Sequence, residues 1–125
     1  MKFGEAVLLL GRKLEEKYGH LGFKYKKSDR TLTKHSKNFT YMLAFFSFSG
    51  NTKERIDLDV CYIINRRPFD TAPAEDSQLL YHSLWSNGIY LNIADEQKIN
   101  ETFHIVCQWM DELLLPEMEK LCATE

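Results

Sequence analysis

Asp57 and Asp59 are the residues of this 125-residue chain whose type and spacing come nearest to chemistry. Two carboxylates at i and i+2 of a strand project from one face, roughly 7 Å apart at Cα. Such a pair can bind a hard cation, exchange protons with a substrate or meet a basic partner. It can equally be a solvated strand face whose cross-strand partners come from Lys34, Lys37 and Arg55. A second acidic group, Asp70, Glu75 and Asp76, falls in a proline-containing stretch that reads as a surface loop. Loops are where binding function tends to sit. These five acids are the candidate partner-binding residues.

No other constellation points to catalysis. His20, His35, His82 and His104 show neither the i, i+4 helical nor the i, i+2 strand spacing that brings two imidazoles to one metal. There is no glycine-rich phosphate loop and no Gly-x-Ser-x-Gly elbow. Cys61, Cys107 and Cys122 are odd in number and lack metal or redox spacing, so they read as buried thiols of a reducing compartment. The expectation is a protein that is not an enzyme, with no metal and no cofactor. Lys24, Lys26, Lys27, Arg30, Lys34 and Lys37 oppose Asp29 alone, a ribbon of net +5 in a chain of net −2, which leaves −7 for the rest. With Phe23 and Tyr25 interleaved, the ribbon has the makings of a nucleic-acid surface. On a mildly acidic protein it reads better as lysine protection of a sheet edge.

These groups must be positioned by strands. Residues 38–49 and 53–65 read as a hairpin, with Gly50 and Asn51 in its turn. In the first arm, Phe39, Tyr41, Leu43 and Phe45 face one way and Met42, Ala44, Phe46 and Phe48 the other. An arm apolar on both faces belongs inside a sheet. In the second, Ile56, Leu58, Val60, Tyr62 and Ile64 alternate with Arg55, Asp57 and Asp59, so a one-residue slip would bury the acids. Shorter strands are expected at 23–28, 31–35 and 88–94, with a loop over 66–82 and a helical turn at Ser77 to His82. Phe3, Val7, Leu10, Leu14 and Tyr18 set an apolar stripe for a helix over 3–18. Ile99, Phe103, Val106, Met110 and Leu113 set another for a helix over 96–122, capped by Asp95 and broken near Pro116. The fold class is α+β: one domain, an antiparallel meander of four to five strands, both helices on one face, and the other face partly open. The apolar run Ala6–Leu10 is too short for a leader core or a membrane span, so a cytoplasmic location is expected.

The layout resembles a known family. A helix running into Leu21, Gly22, Phe23 and Lys24, then aromatic strands ending in Ile56–Tyr62, and a long helix containing Leu114–Pro116, resemble domain-of-unknown-function family 4304. Members and neighbours of that family look like the immunity proteins carried beside polymorphic toxins, including those of contact-dependent growth inhibition. The resemblance implies a small bacterial protein that neutralises a cognate toxin domain by occluding its active site. A nuclease toxin with a basic cleft would suit an acidic inhibitor surface. The alternative is a nucleic-acid-binding module using Lys24 to Lys37.

Overall fold

The computed structural model describes residues 2–48, 50–52, 54–67 and 78–125. Helix α1 (Phe3–Tyr18) is followed by strands β1 (Lys24–Lys26), β2 (Thr31–His35), β3 (Phe39–Ser47), β4 (Asp57–Arg66), β5 (Gln78–Ser83) and β6 (Leu91–Asn92). Helix α2 (Glu96–Trp109), a π-helical turn (Met110–Leu114) and helix α3 (Leu115–Cys122) complete the order. The strands form one antiparallel sheet in the order β1-β2-β3-β4-β5, and β6 also pairs with β4. This is the α+β meander the strand periodicity predicts.

The register separates the two faces. Tyr41, Leu43 and Phe45 of β3 meet Ile64, Tyr62 and Val60 of β4, and all are buried. Leu32 of β2 joins them beside Leu43, and Val7, Leu10, Leu14, Val106, Met110 and Leu114 from the helices close the same core. Each large side chain so buried contributes about 1.5–3 kcal/mol before conformational entropy is subtracted. Polar tips fix the layer spacing: Tyr62 donates to the Val106 carbonyl at 2.9 Å, and Tyr18 to Asp111 Oδ1 at 2.8 Å. Both helices therefore cover one face of the sheet.

Several boundaries differ from expectation. The β3–β4 connection is not a tight two-residue turn. Gly50 takes φ +86°, but Asn51 and Thr52 side chains then accept the N–H groups of Asp57, Glu54 and Arg55, so β4 starts at Asp57 rather than 53. The expected strand 23–28 shortens to Lys24–Lys26, because the turn to β2 includes Arg30 in the left-handed region. Residues 78–83, read as loop and helical turn, form β5. Leu80 and His82 pair with Ile64 and Tyr62 on the inner face, while Tyr81 and Ser83 pair with Ile63 and Cys61 on the outer. A bulge between Ile64 and Asn65 interrupts this alternation. Of the strand expected over 88–94, only Leu91–Asn92 pairs. A 3-10 turn (Trp85–Asn87) with Gly88 at φ +80° precedes it.

The C-terminal helix does not break at Pro116. Asp95 caps it by accepting the Lys98 N–H at 2.9 Å, and the irregularity falls earlier, in the π-helical turn. There Leu115 N–H reaches back to Met110, so the helix widens before Pro116, which sits in the first turn of α3 and accommodates its ring.

Glu125 closes the turn between β2 and β3. Its carboxylate accepts Ser36 Oγ at 2.5 Å and the Lys37 and Asn38 N–H groups at 2.9 and 3.4 Å. The Ser36 bond above all holds this carboxyl below its usual value of 4.5. A depressed folded value means the contribution is complete above 4.5 and lost as pH falls through the lowered value. The Lys37 and Asn38 amide resonances are expected to titrate below pH 4.5, and Glu125→Gln to abolish that titration in NMR.

Candidate protein-binding face

The sheet face opposite the helices carries the alternate residues. By register these are Lys24 and Lys26 on β1, Thr31, Thr33 and His35 on β2, and Thr40, Met42, Ala44 and Phe46 on β3. They continue with Asp59, Cys61, Ile63 and Asn65 on β4, and Tyr81 and Ser83 on β5. Among the described residues no helix lies on this face. Phe46 and Tyr81 stand 49% and 57% exposed on it. Ala44 and Cys61, paired across β3 and β4, are sunk between them.

One end of the face is an aromatic corner. Phe48 and Trp85 lie with ring centroids 4.3 Å apart and planes tilted by 37°. Tyr90 meets Trp85 edge-on at 4.4 Å and 71°, and is 61% exposed. Phe46 stands opposite Asp59 in the β3–β4 register, extending the patch onto the sheet. Nothing in the local sequence predicts this cluster. Phe48 follows β3, Trp85 begins a 3-10 turn and Tyr90 precedes β6, so no periodicity links them.

Asp57 and Asp59, the pair singled out from the sequence, have different surroundings. Asp59 is half-buried and spans the β4–β5 junction. Its Oδ2 accepts Ser83 Oγ at 2.6 Å and its Oδ1 accepts the Trp85 N–H at 3.0 Å. It thereby fixes the backbone from which the corner's central ring projects. Asp57 pairs with Asn92 across the sheet and receives Arg55 Nε at 2.8 Å. The cross-strand partners expected from Lys34 and Lys37 are not those of β4: Lys34 pairs with Tyr41, and Lys37 lies in the β2–β3 turn. Asp70, Glu75 and Asp76 lie outside the described residues.

Burial pushes the Cys61 thiol up, and its hydrogen bond with Cys61 is the first cause that pushes the Tyr81 phenol up to about 12. Both groups hold their protons at neutral pH and are poor nucleophiles there. Among the described residues no group of three His, Cys, Asp or Glu side chains is placed to hold a metal, and no helix is long and apolar enough to cross a membrane. No family model, curated protein or solved structure matches the chain.

Proposed function

We propose that this protein is a binding module of the immunity type, which docks a cognate toxin domain on its open sheet face and occludes it. The observation that carries the reading is the aromatic corner of Phe46, Phe48, Trp85 and Tyr90 beside Asp57 and Asp59. Tryptophan and tyrosine are enriched among the few residues that carry most of the energy of protein interfaces. Rings meeting edge to face, with carboxylates alongside, suit an arginine or lysine side chain. The partner is accordingly basic where it touches the corner, as the cleft of a nuclease toxin is. The acidic balance outside the β1–β2 ribbon favours its encounter. In this reading Asp57, which also holds Arg55, and Asp59, which positions Trp85, are the acids at the corner; Asp70, Glu75 and Asp76, outside the described residues, are proposed as further partner-binding acids.

The test is affinity capture with the tagged full chain from its host, with and without nuclease treatment. The expected result is one stoichiometric protein that survives nuclease and arrests growth when expressed alone. Recovery of nucleic acid in its place, lost on nuclease treatment, would overturn the reading.

A further inference from the structure

The β1–β2 side of the open face holds a trough of about 900 Å³. Its lining includes Lys24, Lys26, Thr31, Thr33, His35 and Met42. Gly22, at φ +102°, leaves one wall low, and the Lys34 stem passes 3.6 Å from where a Cβ would stand. The trough thus gathers two lysines and a histidine around threonine hydroxyls. Asp29 is the one carboxylate in the lining, and it is 3.2 Å from Lys26 Nζ. Lys24 makes no ion pair among the described residues. The cations therefore exceed the local anion, and hydroxyl donors sit between them: the arrangement of a site for an anionic group with an apolar neighbour on Met42.

We infer that this trough binds an acidic segment of a protein partner, its carboxylates on Lys24 and Lys26 and its aliphatic carbons on Met42. The occupant is a polypeptide because the trough offers nucleic acid little to stack on. Of its two lining rings, Tyr25 packs against Phe45 with centroids 6.1 Å apart, and the His35 imidazole is hydrogen-bonded to Thr40 Oγ1 at 3.0 Å. The open face then carries two unlike sites, a cation-seeking corner running from Phe46 to Trp85 and an anion-seeking trough over β1 and β2. That difference fixes the orientation in which a partner docks. The identity of the occupant rests on the binding role proposed above; the site itself does not.

Dye-labelled hexaglutamate and a short dye-labelled oligothymidylate, each titrated into the full chain, test this by fluorescence anisotropy at about 20 mM salt, where screening is weak. Hexaglutamate is expected to bind, and Lys24→Gln with Lys26→Gln to weaken it roughly tenfold, the loss of two exposed charge contacts. Its amide shift changes are expected at Thr31, Thr33 and Met42. Tighter binding of oligothymidylate would overturn the polypeptide assignment, and shifts elsewhere or no hexaglutamate binding would overturn the site. Trp85→Ala with Tyr90→Ala is expected to leave hexaglutamate binding unchanged while removing the cognate partner, so the two proposals fail separately.

Discussion

Replacing Asp59 with alanine is expected to destabilise the fold by about 2–3 kcal/mol, the scale of losing hydrogen bonds to a charged acceptor. It is also expected to dismantle the aromatic corner. Both carboxylate oxygens are engaged, one by the Ser83 hydroxyl and one by the Trp85 N–H, and Ser83 Oγ in turn accepts the Ser86 N–H at 3.2 Å. Alanine leaves the Trp85 donor without its acceptor where β5 turns away from the sheet. Asn is milder, because its carbonyl can keep the Trp85 bond while the Ser83 hydroxyl rotates. Urea unfolding of the alanine and asparagine variants checks the order of stabilities. Trp85 fluorescence, read in a Trp109→Phe background, checks the corner. Equal stability of the alanine variant and wild type would mean that Asp59 is only a solvated acid.

The second large effect is expected at Gly11, buried in the middle of α1. A Cβ there would stand 2.4 Å from Tyr25 Cδ1 and Cε1 and 2.7 Å from Cζ. The ring has little freedom to retreat. Its edge rests on Phe45, and the Tyr25 N–H is held by Glu15 Oε2 at 2.6 Å. Gly11→Val is expected to cost about 3 kcal/mol, the upper part of the usual overpacking range. That corresponds to a fall in Tm on the order of 10 °C. Gly4, on the same helix, meets only Arg30 Nη2 at 3.8 Å. Gly4→Ala is therefore the control, expected to be neutral or to stabilise by up to about 1 kcal/mol through helix propensity. Thermal denaturation of both variants separates steric exclusion at Gly11 from a general effect of substituting helical glycine.

Gly11 also shows where sequence reading stops. Its position on the helix is legible from the Val7, Leu10, Leu14 stripe, but the ring it admits arrives from β1, fourteen residues on. The faces of β4 were legible because its alternation can bury only one set, whereas β3 is apolar on both sides and takes its orientation from its register with β4. Asp95 was legible as a cap because capping is local. β5 was not, because its bulge breaks the period of two just where Leu79 and Leu80 follow one another. Pro116 misled because a proline's cost depends on the turn before it, and a π-helical turn leaves no mark in the apolar spacing. At the candidate site, Asp57 and Asp59 were found by their spacing. The division of labour between them was not, since Ser83 and Trp85 lie more than twenty residues away from Asp59. The aromatic corner joins three segments that share no pattern and was legible only once the chain was folded.

The central claim is that the open face, through its aromatic corner, is the docking surface. It is tested most directly by the affinity of the captured partner for Trp85→Ala with Tyr90→Ala, set against Lys13→Glu with Lys17→Glu on the helical side. The corner variant is expected to lose roughly a hundredfold or more in affinity, as two interface hot spots do, with an unchanged Tm. The helix variant is expected to bind as wild type does. Undiminished binding by the corner variant, or loss confined to the helix variant, would contradict the account.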